Sequence, residues 1–274
     1  MIDNMEREID SSQTITIHPT AIVSNKAILH PGVEVGPYSI VGDLVELKAG
    51  VKLKSHVYLE GDTVIGEGTL IYPFAVIGTP PQDLKYQGEE SKIVVGKNNT
   101  IREHVTIHGG TSLGRTTTTI GDNCLIMVGS HIAHDCLVGN HIIMANNATL
   151  GGHVILEDYV IIGGLSAIHQ LVRIGKHAII GAGTIVAADV IPYGSAAGER
   201  AKLLGLNTRG MKRHSFNKTE ILSLHEAFEK IFRSKEGTFN SRLVEVELDY
   251  KNDKRVLDIV TFLKNNKVRP ICIA

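Results

Sequence analysis

From Ile17 onward an aliphatic residue recurs at every sixth position: Ile17, Val23, Leu29, Val35, Val41, Leu47, Leu53, Leu59, Ile65, Ile71 and Ile77. After a break the frame resumes at Val95, Ile101 and Ile107 and slips by one residue. It then runs on through Ile120, Ile126, Ile132, Val138, Met144, Leu150, Leu156, Ile162, Ile168, Ile174, Ile180 and Val186. Neither an α-helix nor an amphipathic strand repeats in this way. The fifth place of each hexad is also restricted, mostly to small or β-branched residues such as Ser39, Cys124, Ser130, Cys136, Ala148, Val154 and Thr184. Each hexad therefore has two inward positions and reads as one short strand and one turn. Three hexads close a triangular coil, and stacked coils share one core in a parallel β-helix. Glycine at the second place, as at Gly36, Gly66, Gly121 and Gly163, suits turns where φ is positive or the backbone is crowded.

The register breaks at residues 79–92 (TPPQDLKYQGEESK) and 108–118 (HGGTSLGRTTT), both polar and rich in Gly, Pro or Thr. They read as loops extruded from the coil wall. Loops on a rigid scaffold commonly carry binding residues, although a tolerated insertion has the same signature. The hexads predict a β-helix over 17–192, preceded by an N-terminal extension, 1–16, and followed by a helical domain, 193–274. In that last part Asn217 and Glu220 are spaced as a capping box before the helical stripe Ile221, Leu224, Phe228, Ile231 and Phe232. A second stripe holds Val256, Ile259, Val260 and Leu263. These helices are expected to cap the open end of the solenoid, where strand edges would otherwise lie unpaired.

Charge narrows the partners. With 28 Lys+Arg against 29 Asp+Glu, the net charge of -1 creates no global field for nucleic acid or an anionic membrane. The acidic start, MIDNMEREIDSSQT, is unlike a secretory signal, and no apolar run is long enough to span a bilayer. Three cysteines, Cys124, Cys136 and Cys272, form no CxxC pair, which fits a reducing compartment. A cytoplasmic protein without stable membrane insertion is expected.

If a coil holds eighteen residues, His134, the Gly152–His153 pair and the His169–Gln170 pair stack on one wall, with His131 near the adjoining corner. Imidazole can take a proton from a hydroxyl and return it to a leaving group. Acyl transfer needs both steps and a donor for the oxyanion, which the unobstructed N–H of Gly152 can supply. Asp135 adjoins His134, but neighbours along a strand point to opposite faces, so spacing alone assures it no orienting role. There is no GxSxG elbow, and Cys124 and Cys136 occupy inward fifth places, so direct transfer is preferred to an acyl-enzyme. Two readings stay open beside it: a metal held by His131, His134 and His153, and a non-enzymatic scaffold.

At HIAHDC (131–136), ANNATLGGHV (145–154), AIHQ (167–170) and PPQDLKY (80–86), the chain resembles the UDP-N-acetylglucosamine acyltransferases over nearly its whole length. The resemblance implies a left-handed β-helix and a homotrimer with sites between neighbouring subunits. It implies transfer of an (R)-3-hydroxyacyl group from acyl carrier protein to the glucosamine 3-hydroxyl of the UDP-sugar, the first step of lipid A biosynthesis. No cofactor is implied, since phosphopantetheine travels on the carrier protein. His134 matches the general base and Gly152 the oxyanion donor. Gln82, Asp83, Lys85, His131, His153, His169, Gln170, Asn207 and Arg213 match substrate-binding positions. Arg200, Lys202, Arg209, Lys212 and Lys218 offer a basic surface for an acidic carrier protein, or form a merely solvated face. The family pattern departs at Arg209, where an acidic residue is usual, and at His214, where a second arginine is usual. Ala182 stands where longer-chain members have Gly, which implies a medium acyl preference. Alternatives are a 3-amino UDP-sugar as acceptor and a site like that of the γ-class carbonic anhydrases, which share the hexapeptide fold. A related N-acyltransferase normally has an N-terminal domain for which hexads starting at Ile17 leave no room.

Overall fold

The computed structural model describes residues 14–265 and 268–273; residues 1–13 of the expected N-terminal extension lie outside them. Parallel strands, most of two residues, form three sheets of eleven, nine and eight strands. Sequence neighbours fall in different sheets, and each strand pairs with the one a coil away, as Ile162 does with Ile180. The chain thus winds as a triangular, left-handed β-helix. The two register breaks lengthen single coils: Ile77 pairs with Ile107 and Ile107 with Ile132, thirty and twenty-five positions on.

The first place of each hexad fills the core, and from Val35 to Val186 these side chains are at most 3% exposed. The fifth place is small because its side chain turns back on the backbone. Hydroxyls and thiols there donate to the second-place carbonyl one coil on: Ser39 to Lys54 (3.0 Å), Ser130 to Ala145 (3.1 Å), Cys136 to Gly151 (3.2 Å) and Ser166 to Gly181 (2.8 Å). Each bond satisfies a carbonyl that turns away from the sheet ladder. Cys124 and Cys136 are accordingly core residues, and burial pushes both thiols up to about 12.

Of the two reasons for glycine at the second place, crowding is the one that applies. A Cβ on Gly36 would meet the Lys54 carbonyl oxygen at 2.3 Å, whereas its φ is not positive. The left-handed residue is the fourth of the hexad, where His56, His104, Asp135, His141, Asn147, His153, Tyr159 and His177 have φ between 57° and 62°. This place forms the corners of the triangle, so side chains there stack with a period of one coil. The corners after the first, second and third sheets are called here the first, second and third.

The first sheet continues past residue 192 through Gly194–Ala197 and ends on the antiparallel strand Lys202–Leu206. Four helices follow: α1 (Thr208–Arg213), α2 (Lys218–Phe228), α3 (Phe239–Asp249) and α4 (Lys254–Lys264). A short π-helical turn, Glu229–Arg233, extends α2. The capping box of α2 forms as its spacing predicts, Asn217 and Glu220 exchanging bonds of 2.9 and 2.8 Å. The last coil's edges are taken up by chain rather than by helices alone: Arg200 bridges Ile185, and Ile271 bridges Asp189. Helix α2 packs against the strand Lys202–Leu206. Helix α4 lies beside the third corner, where Asp258 accepts from Tyr193 and pairs with Lys176.

Candidate active site

Both inserted loops leave the coil at the second corner, and the 108–118 loop closes over Asp135. Because Asp135 occupies the left-handed fourth place (φ 60°) and not a strand, its side chain turns toward its neighbour. His134 Nδ1 lies 2.8 Å from Asp135 Oδ2. The doubt about Asp135 that strand alternation raised is thereby removed: the two residues share a turn. Asp135 is fully buried. Its carboxylate also accepts from Thr111 N (3.1 Å), Thr111 Oγ1 (2.7 Å) and Arg115 N, all from the 108–118 loop. Burial pushes this carboxyl up, yet the bonds from His134, Thr111 and Arg115 together outweigh it and hold it below the ordinary carboxylate range. An ionised carboxylate only accepts, so His134 Nδ1 carries the hydrogen and Nε2 keeps its lone pair.

Gly152 lies beside this ring. A Cβ there would come within 2.5 Å of the imidazole, so only glycine allows the approach. Among the described residues no backbone carbonyl accepts the Gly152 N–H. His153 meets His134 edge to face, with ring centroids 5.1 Å apart. His131 is bonded through Nδ1 to Thr106 Oγ1 (2.7 Å) and meets His108 edge to face. Burial, then the charges of His131 and His134, lowers His108 to about 4. Burial likewise lowers His131 and, against the pull of Asp135, His153.

The 79–92 loop brings Gln82, Asp83 and Lys85 to the same corner. Asp83 Oδ1 accepts from Lys85 N (2.9 Å), and its charge is felt at His153. Gln82 and Lys85 are exposed. The two loops are clasped, since Ser112 Oγ donates to Glu89 Oε1 at 3.0 Å. His169 and Gln170 stand exposed one coil beyond Gly152. Other expected residues lie elsewhere in the chain. Ala182 is at the first corner. Asn207 is the N-cap of α1, and its side chain bonds Gly210 N (2.9 Å) and His177 O (2.8 Å) at the third corner. Arg213 ends α1 and is exposed, as are Arg200, Lys202, Arg209, Lys212 and Lys218. One chain therefore gathers nine of the eleven expected catalytic and substrate-binding residues and leaves Asn207 and Arg213 on another face.

Asp135, Thr111, Arg115 and His108 belong to the site although the hexad pattern does not single them out. Donor atoms of His134, Asp135 and His153 lie within 4.8 Å of one another, which is the geometry a metal would need. His131, the third imidazole expected in such a set, is not in it. Asp135 already spends its oxygens on His134, Thr111 and Arg115, so a cation would have to displace bonds that define the turn.

An unblocked imidazole lone pair, a carboxylate behind the ring and a free backbone N–H beside it, on a hexapeptide solenoid, define an acyltransferase of the hexapeptide-repeat class. The family model described as bacterial transferase hexapeptide (six repeats) matches residues 117–152. The model of UDP N-acetylglucosamine O-acyltransferase, domain 2, matches residues 189–272. The chain is 51% identical, over 93% of its length and 97% of the relative's, to the acyl-(acyl-carrier-protein)–UDP-N-acetylglucosamine O-acyltransferase of Rickettsia canadensis. Identity to the enzyme of that name from Azorhizobium caulinodans is 48%, covering 93% and 94% of the two chains. Among solved structures, the Francisella novicida UDP-N-acetylglucosamine acyltransferase superposes with a TM-score of 0.91 at 34% identity, covering 94% of each chain. The Moraxella catarrhalis UDP-N-acetylglucosamine O-acyltransferase gives 0.89 at 40% identity, covering 93% and 98%. The chain belongs to the UDP-N-acetylglucosamine O-acyltransferase family.

Proposed function

We propose that this enzyme transfers an (R)-3-hydroxyacyl group from acyl carrier protein to the 3-hydroxyl of UDP-N-acetylglucosamine in the cytoplasm, opening lipid A biosynthesis. The observation that carries the mechanism is the bond between His134 Nδ1 and buried Asp135, which leaves Nε2 free beside Gly152. The sugar hydroxyl oxygen attacks the thioester carbonyl while its proton passes to His134 Nε2. The Gly152 N–H stabilises the oxyanion. Collapse forms the ester C–O bond, breaks the C–S bond and sends the proton from His134 to the departing phosphopantetheine thiolate. Asp135 compensates the transient imidazolium, as in a serine-protease triad. No acyl-enzyme, metal or cofactor enters this scheme, and the thiols of Cys124 and Cys136 are buried in the core, where burial keeps them from forming the nucleophilic thiolate.

His131, His153, His169 and Gln170, with Gln82, Asp83 and Lys85, line the nucleotide-sugar and acyl groove. The placement of Asn207 and Arg213 on another face supports a homotrimer in which a neighbouring subunit completes the groove. The exposed basic residues around α1 form no ion pair among the described residues, which suits an acidic carrier protein. Ala182 adds one methyl to the acyl slot and favours medium chains.

The test is transfer of labelled 3-hydroxyacyl groups of graded length from acyl carrier protein to UDP-N-acetylglucosamine and to its 3-amino analogue, with a chelator present. Chelator-insensitive transfer to the 3-hydroxyl with a medium-chain optimum is expected. Preference for the amine would replace the acceptor, equal turnover across chain lengths would remove the role of Ala182, and loss with chelator would restore the metal reading.

A further inference from the structure

The end of the chain returns to the wall that carries His134. Asp189 N donates to Pro270 O (2.8 Å), Cys272 N to Asp189 O (2.8 Å) and Leu203 N to Ile273 O (3.1 Å). The Asp189 carboxylate is itself held by Arg173, through its backbone N–H at 2.8 Å and Nε at 2.7 Å, and Cys272 is buried. Residues 270–273 are thus clamped into the last coil. Arg269 stands just before the clamp, with the fixed φ of Pro270 behind it.

From there the Arg269 guanidinium reaches the second corner. Nε donates to the Gln170 carbonyl at 3.0 Å, and Nη2 lies 2.7 Å from His169 Nδ1. A guanidinium has donors only, so His169 Nδ1 accepts in this contact, and the hydrogen of the neutral ring sits on Nε2. His169 Nδ1 also lies 3.3 Å from Gln170 O, but a hydrogen placed there would collide with that of the guanidinium. The carbonyl is served by Arg269 Nε instead. Gln170 in turn abuts the catalytic wall: Leu171 N donates to Gly152 O at 3.0 Å, and a Cβ on Gly151 would meet Gln170 N at 2.8 Å.

We propose that Arg269 is a positioning residue for the acceptor substrate: it fixes His169 as the Nε2–H tautomer, a hydrogen-bond donor facing the groove, and pins the Gln170 backbone beside it. This rests on the reading above in which His169 and Gln170 line the substrate groove. The ligand it serves is the nucleotide-sugar rather than the acyl chain, because a diphosphate and sugar hydroxyls are rich in oxygen acceptors and a hydrocarbon chain has none.

Arg269→Ala and Arg269→Lys in the full chain test this by two readouts. In nitrogen NMR of histidine-labelled protein, with the resonance assigned by His169→Gln, wild type shows His169 as Nε2–H and the Ala variant a tautomer mixture. In steady-state kinetics the Ala variant raises KM for UDP-N-acetylglucosamine by about tenfold, the worth of one charge-assisted bond, and leaves KM for acyl carrier protein unchanged. Lysine, which can give His169 one bond but not serve both acceptors, restores part of the loss. An unchanged tautomer in the Ala variant, or an equal rise in both KM values, overturns the proposal. If wild type acylates no UDP-N-acetylglucosamine, the reading of that sugar as acceptor falls, and the tautomer arm still decides whether Arg269 sets His169.

Discussion

Two corners of the coil carry histidines and use them in opposite ways. At the third corner His141, Tyr159 and His177 stack face to face, with centroids 4.6 Å apart and ring planes 5° and 2° from parallel. His214 and Phe216 pack edge-on against His177. The His177 Nδ1 is buried and, among the described residues, has no partner. At the second corner His134 and His153 meet at 88°, and His134 is turned by a carboxylate that a loop holds in place. Stacking of successive coils brings aromatic rings together at either corner. Chemistry follows only where an inserted loop supplies a buried acceptor behind one ring and leaves the other nitrogen free.

The contrast is sharpest when each corner loses its key ring. His134→Ala should lower kcat/KM on the order of 10³-fold while the folded protein retains its circular dichroism; a loss of less than about tenfold would put the base elsewhere. Asp135→Asn should cost roughly 10²-fold, because the amide can offer a hydrogen where the carboxylate only accepted and so favours the wrong His134 tautomer. At the third corner His177→Phe should leave kcat/KM unchanged, since a phenyl ring keeps the stack. Its effect appears in acid. Burial, then the charge of His214, lowers the folded-state pKa of His177 to about 4, from an ordinary 6.5. As pH falls from 6.5 toward 4, the unfolded chain gains a proton that the folded one refuses, and stability is lost across that window. The fall in Tm between pH 7 and pH 5 should therefore be smaller in His177→Phe than in wild type. His108, His131, His153 and His214 are lowered as well, so the variant relieves only a share.

Core positions are legible in the hexads because a first-place residue such as Ile132 or Ile162 has one option, the interior of its coil. Corner geometry is not, because the left-handed fourth place accepts His, Asn, Tyr, Leu and Asp alike and leaves no single-residue signature. For that reason the orienting role of Asp135 is invisible in the sequence, although His134 and Gly152 stand out. Thr111 and Arg115 are hidden for another reason: they reach the carboxylate from an insertion with no period of its own. Helix α3 buries only Leu243 and Val246, too narrow a stripe to read beside those of α2 and α4. Arg269 lies 100 positions from His169, and only the clamp at Asp189 makes them neighbours.

The central claim is that Asp135 acts through His134, and a double-mutant cycle of kcat/KM for acyl transfer tests it most directly. His134→Ala, Asp135→Asn and the double variant are compared with wild type under one set of conditions. If the two residues form one unit, removing Asp135 in the His134→Ala background costs nothing further, and the double variant matches His134→Ala alone. If the two losses multiply, Asp135 works independently of His134 and the account of the site is wrong.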